Sequence, residues 1–160
     1  MTKYPVNIDQ ISPALEYYSE LPLLLDESHR YLSSHPWCQN ITNGWLFTNL
    51  GEVLCIFLYQ IENSQSPTDN LIWVIVGDLP PAYIDSKEIG NTRKVVEVYI
   101  YLVKDWIEHA ENARNMEQCY PLLSGWTEEH VEMLKVRADL LEKSILPNLY
   151  EVSIEERNAI

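Results

Sequence analysis

Trp45-Leu-Phe-Thr-Asn-Leu-Gly-Glu-Val-Leu-Cys-Ile-Phe-Leu-Tyr-Gln-Ile61 is the stretch whose reading decides the fold. Trp45 to Thr48 begins a strand, Asn49 to Gly51 turns the chain, and Val53 to Ile61 returns as a run of branched and aromatic residues. Such residues fit a pleated, half-buried surface, and a short Gly-containing turn between two such runs makes a hairpin. Leu71 to Val76 repeats the composition after the polar loop Asn63 to Asn70. Three consecutive strands with short connections predict an antiparallel meander.

Outward from the meander the chain reads as helix. Ser12 caps a first helical region with Pro13 at its first position, Pro22 interrupts it, and a second piece runs from Leu23 to Ser33 before His35 and Pro36. Trp37 to Asn43 reads as a loop. Gly77 to Gly90, with two prolines and two glycines, reads as a structured loop. A long helix capped by Asn91 or Thr92 follows. Val95, Tyr99, Leu102, Trp106 and Ala110 recur along it at helical spacing, beside a second row of Val96, Ile100, Val103 and Ile107. Tyr120 to Gly125 breaks that helix. Thr127 caps a last one, with Glu128 and Glu129 at its positive end and a stripe of Val131, Leu134, Ala138, Leu141 and Ile145 that Pro147 stops. The expectation is an α+β fold, with a three-stranded antiparallel sheet covered by about four helices in the order ααβββαα. The length suits one domain over 1–160, with 1–11 and 152–160 as frayed termini.

Charge narrows the function. Eleven Lys and Arg against 24 Asp and Glu leave −13 at neutral pH. A phosphate backbone and an anionic membrane surface both require a basic face, so neither is an expected partner. The longest apolar runs are far shorter than the ~20 residues of a membrane helix. No apolar leader opens the chain, and Cys38, Cys55 and Cys119 are an odd set without CxxC spacing. These features predict a soluble protein of the reducing cytoplasm. From Tyr31 through Ser86 there is no Lys or Arg, while Glu52, Glu62, Asp69, Asp78 and Asp85 are acidic.

Motifs for chemistry are sparse. His29, His35 and Cys38 have no second ligand pair, and His109 and Cys119 lie ten residues apart, so no structural zinc site and no other cofactor is expected. Cys38 with His35 or His109 lacks an orienting third group. Isolated glycines build no phosphate loop. The reading is therefore non-enzymatic; a small hydrolase using Cys38 or paired carboxylates ranks third. Ten Tyr and five Trp against two Phe favour rings that pack on one side and hydrogen-bond on the other, the kind enriched at interfaces.

The segment Trp73-Val-Ile-Val-Gly-Asp-Leu-Pro-Pro-Ala-Tyr83, a strand closing in Gly-Asp-Leu-Pro-Pro-Ala-Tyr before a long helix, resembles a small bacterial domain family of uncharacterised function. The wider profile of size, acidity and missing catalytic motif resembles bacterial immunity proteins, the antitoxins of contact-dependent growth inhibition and related polymorphic toxin systems. That resemblance implies a cytoplasmic antitoxin binding a cognate basic toxin, a nuclease among the candidates. The expected contact residues are Glu20, Asp26, Glu27, Asp69, Asp78, Tyr83 and Asp85. The alternative is a homodimeric adaptor that associates through an exposed row of Val96, Ile100, Val103 and Ile107.

Overall fold

The computed structural model describes residues 4–11, 20–68 and 70–158. Its elements are β1 (Val6–Asn7), α1 (Leu21–Ser33), β2 (Cys38–Leu50), β3 (Leu54–Asn63), β4 (Leu71–Gly77), β5 (Ala82–Asp85), α2 (Thr92–Glu111) and α3 (Glu128–Leu140), with short 3-10 turns between and after them and a π-helical turn, Leu141–Ile145, continuing α3. They form two compact units. One runs up to Thr92 and resumes at Val152; the other is Arg93–Glu151.

The first unit is built on a five-stranded sheet in the order β1-β2-β3-β4-β5, with every neighbouring pair antiparallel. The fold is α+β, but the expected three-stranded sheet with about four helices in the order ααβββαα is corrected to a five-stranded sheet and three α-helices among the described residues. The central meander lies where the apolar runs put it: Leu46 faces Phe57, and Phe57 faces Val74. The added strands escape pattern reading for physical reasons. β1 has two residues, too few for any period. β5 follows Pro80 and Pro81 and pairs only with β4, and an edge strand tolerates nearby residues that lack a backbone donor. The first half of β2 was expected as a loop. Its pairing with β3 shifts register between Cys38 and Asn40, Ile41 and Asn43, and Leu46 and Thr48, and each bulge resets the two-residue alternation.

α1 lies against one face of this sheet, contacting β2 and β4. Leu21, Leu24 and Leu32 join Leu46, Phe57, Tyr59, Ile61, Ile72, Val74 and Val76 in one apolar core. Pro22 sits inside the first turn of α1, where a missing N–H is harmless, and this helix begins at Leu21, two residues before the expected start at Leu23. The helix predicted from Ser12 falls on residues 12–19, outside the described residues. On the opposite face Phe47 meets Trp73 edge to face, ring centroids 4.9 Å apart, and the Trp73 indole N–H donates to the Ile89 carbonyl at 2.8 Å. Residues 152–158, expected as a frayed tail, are tied back: the amide of Val152 donates to Thr92 Oγ1, the Thr92 amide to the Val152 carbonyl, and the Ile154 amide to that of Gly90. The Arg157 guanidinium lies 5.7 Å from the centre of the Trp45 ring.

In the second unit α2 ends earlier than the break expected at Tyr120. Ala113 takes a left-handed φ of 52°, and the Arg114 amide reaches back to the His109 carbonyl, a turn that terminates helices. Of the first row of α2, Val95, Tyr99 and Trp106 are buried, and Leu102 and Ala110 partly so. Val96, Ile100, Val103 and Ile107 are each at most 8% exposed, so the expected exposed dimer row is corrected. Thr127 caps α3 as expected, its amide donating to Nδ1 of His130 at 2.9 Å. Lys104 pairs with Glu142 at 2.7 Å and Lys135 with Glu111, joining α2 to the α3 segment. No described helix is long and apolar enough to cross a membrane.

Candidate functional site

The charge is divided unequally. The sheet unit holds thirteen carboxylates against four Lys and Arg, a net −9 of the −13; Arg93–Glu151 holds eleven against seven, a net −4. In the helical unit cations are spent on ion pairs with Glu108, Glu111, Glu132, Asp139 and Glu142. Most of the acidic excess therefore belongs to the sheet unit.

Two places on the sheet unit gather the predicted residues. At one end of the strands the β2–β3 turn meets the exit from β4. Leu24, Glu52, Gly77 and Asp78 line an open groove of about 360 Å³ there. The Asp78 amide donates to the Val53 carbonyl at 3.2 Å, which locks the two turns together. Glu27, one helical turn beyond Leu24, has its carboxyl pushed up by burial, an effect the nearby Arg30 partly offsets. Beneath it the Cys55 thiol is pushed up to about 12, by burial first and by the Glu27 charge second.

At the other end, 46 residues of chain separate two rings that touch. Trp37 and Tyr83 lie with centroids 5.0 Å apart at 61°. His35 meets both, at 5.0 Å and 4.8 Å, and Tyr31 closes the cluster edge-on to His35 at 5.0 Å. Offset and edge contacts of this kind suit the ring quadrupole. Trp37, Tyr83 and Asp85 line a recess of about 180 Å³ with Asn63, Ser66 and the buried Ile72.

The structure thus brings Tyr83 and Asp85 together and separates them from Asp78. Asp85 pairs across from Ile72, and Asp78 lies six residues further along β4's direction. At ~3.3 Å per strand residue that is about 20 Å. Glu27 and Asp78 belong to the groove end. Glu20 precedes α1 with no side-chain cap bond, its carbonyl accepting from the amides of Leu23 and Leu24. Asp26 is held by Arg30 at 2.8 Å on the exposed side of α1. Asp69 lies outside the described residues. Trp37, His35 and Glu52, found at these two places, are not among the expected contact residues. The signal for the first two was present in His35-Pro-Trp37, a rigid turn carrying two rings.

The cysteine and histidine candidates disperse. His29 lies edge-on to Tyr59 at 6.2 Å, and Cys38 is buried with its thiol pushed up, the opposite of an activated nucleophile. His109 Nδ1 bonds to the Asp105 carbonyl at 2.8 Å within α2. The half-exposed Cys119 donates to the Met116 carbonyl at 3.2 Å. Among the described residues no three His, Cys, Asp or Glu gather as metal ligands.

No curated protein and no solved structure matches the chain. A family model described as a domain of unknown function, DUF4826, matches residues 45–147, from β2 to the end of the last long helical segment. It takes in the Gly77-to-Tyr83 segment and leaves out α1, His35 and Trp37. On that match, which spans more than half of its residues, the chain belongs to the DUF4826 family.

Proposed function

We propose that this chain is an immunity protein, a non-enzymatic binder that neutralises a basic toxin domain through the sheet unit. The observation that carries the reading is the concentration of charge there: a net −9, with Glu27, Glu52 and Asp78 at one end of the strands and Asp85 beside half-buried aromatic rings at the other. A field of one sign steers an oppositely charged partner and raises the association rate toward ~10⁸–10⁹ M⁻¹s⁻¹. The locked turn at Val53 and Asp78 adds a rigid surface, which loses little conformational freedom on binding. The wide spacing of the two ends supports contact with a folded protein rather than with a small molecule.

Affinity purification of the full chain from its native cell, at low and moderate salt, tests this. The expected result is one basic polypeptide in one-to-one ratio, toxic when expressed alone and harmless with this protein. Its association rate falls as salt rises, and Asp78→Lys slows it about tenfold at low salt. A partner that is acidic or non-toxic, or no partner at either salt, overturns the reading.

A further inference from the structure

The recess between Trp37 and Tyr83 has the chemistry of a receptor for one cationic head group. Two aromatic rings in edge contact at 61° line it together with the apolar Ile72, and Asp85 is the one charged residue among the described residues that line it. Its walls are held before any ligand arrives. The Ser64 amide donates to the Trp37 carbonyl at 2.9 Å, Asn63 Oδ1 accepts from the amides of Gln65 and Ser66, and Asp85 Oδ1 accepts from the Lys87 amide at 2.9 Å. Behind the rings, His35 packs against both. Aromatic faces attract cations through their quadrupole, and a neighbouring carboxylate adds a charge-assisted hydrogen bond.

We infer that this recess takes an arginine side chain of a protein partner, the guanidinium stacking on Trp37 or Tyr83 and bonding to Asp85. Arginine fits better than lysine because its head is planar, weakly hydrated and able to stack while it donates in a fixed fork. The open recess of about 180 Å³ has room for one such head. The assignment of a protein as the arginine's source rests on the proposed function; the recognition of arginine does not.

The test is a titration of the full-length ¹⁵N-labelled protein with N-acetyl-arginine N-methylamide, read at the indole N–H of Trp37, which Trp37→Phe identifies by removing its signal. The lysine analogue and the neutral citrulline analogue run in parallel. Saturable shifts with a millimolar dissociation constant are expected for the arginine probe, about tenfold weaker in Asp85→Asn, with no saturation for citrulline. Asp85→Asn keeps the oxygen that accepts from the Lys87 amide, so its fold is preserved. No saturation with arginine, an equal response to citrulline, or unchanged affinity in Asp85→Asn overturns the site. An equal response to lysine overturns the assignment to arginine. Because no partner is present, arginine binding without any co-purifying basic protein would remove the immunity reading and leave the recess, and the converse result would do the reverse.

Discussion

Gly77 stands so close to Val53 that a Cβ on it would lie 2.4 Å from the Val53 carbonyl oxygen, the same oxygen that accepts from the Asp78 amide. The φ of Gly77 is 144°, a conformation L side chains rarely adopt. Close approach and backbone angle together account for glycine at the head of the Gly-Asp-Leu-Pro-Pro-Ala-Tyr segment. Gly77→Ala is expected to destabilise the protein by about 2–4 kcal/mol, combining strain with a backbone clash. Urea unfolding measures this, and a loss below about 0.5 kcal/mol, the range of an ordinary surface change, would refute the steric account.

Beneath α1 the hydroxyls of Ser28 and Tyr59 lie 2.5 Å apart, both buried. Ser28 Oγ already donates to the Leu25 carbonyl at 2.8 Å, so the shared proton belongs to Tyr59. The two deletions are then unequal. Tyr59→Phe leaves Ser28 bonded and costs about 1 kcal/mol, whereas Ser28→Ala leaves a buried phenol without its acceptor and costs about 1–3 kcal/mol. The double variant should be no less stable than Ser28→Ala alone. Denaturant unfolding of all four proteins gives the cycle; strictly additive losses would show that the hydroxyls do not act as a pair.

Cys55 makes a prediction in alkali. Its thiol is raised from 9.0 to about 12 in the folded protein, so the folded state holds that proton more tightly than the unfolded chain does. The resulting stability is complete below pH 9.0 and is lost as pH rises from 9.0 toward 12. The stability difference between the natural protein and Cys55→Ala should stay constant from pH 7 to 9 and narrow above it. Tyr99, also raised by burial, imposes the same downward slope on both proteins and cancels from the difference, whereas Tyr59, raised by burial first and in smaller part by Cys55, belongs to the same titration and adds to the narrowing. A difference that is flat through pH 11 would mean the thiol is not buried in solution.

Legibility in the sequence followed the range of the interactions involved. The return strand from Val53 and the strand from Leu71 read correctly because each has an unbroken run of residues that fit a sheet. Thr127, and the buried Val131, Leu134, Ala138 and Leu141 after it, read correctly because a helix's cap and stripe are set within a few residues. β5 did not, since Tyr83 and Ile84 are two strand-forming residues in a four-residue segment after two prolines, too short for a period, and the segment becomes a strand by pairing with β4. The first half of β2 failed for a related reason: its bulges break the alternation that identifies a half-buried strand. Of the candidate contacts, Tyr83 and Asp85 fell into one recess, while the spacing of Asp78 and Asp85 hid that they stand at opposite ends of a strand.

What the amino-acid sequence determined by itself was the α+β class, the central meander, the caps and stripe of the last helix, and a surplus of carboxylate lodged where lysine and arginine are missing. These follow from composition and from interactions spanning a few residues. Tertiary structure alone decided that Trp37 reaches Tyr83 and that Gly77 closes on Val53. Each of these depends on which segments meet in space, and no local spacing encodes that choice. It is made when the apolar faces of α1 and the five strands find the one arrangement that buries them together.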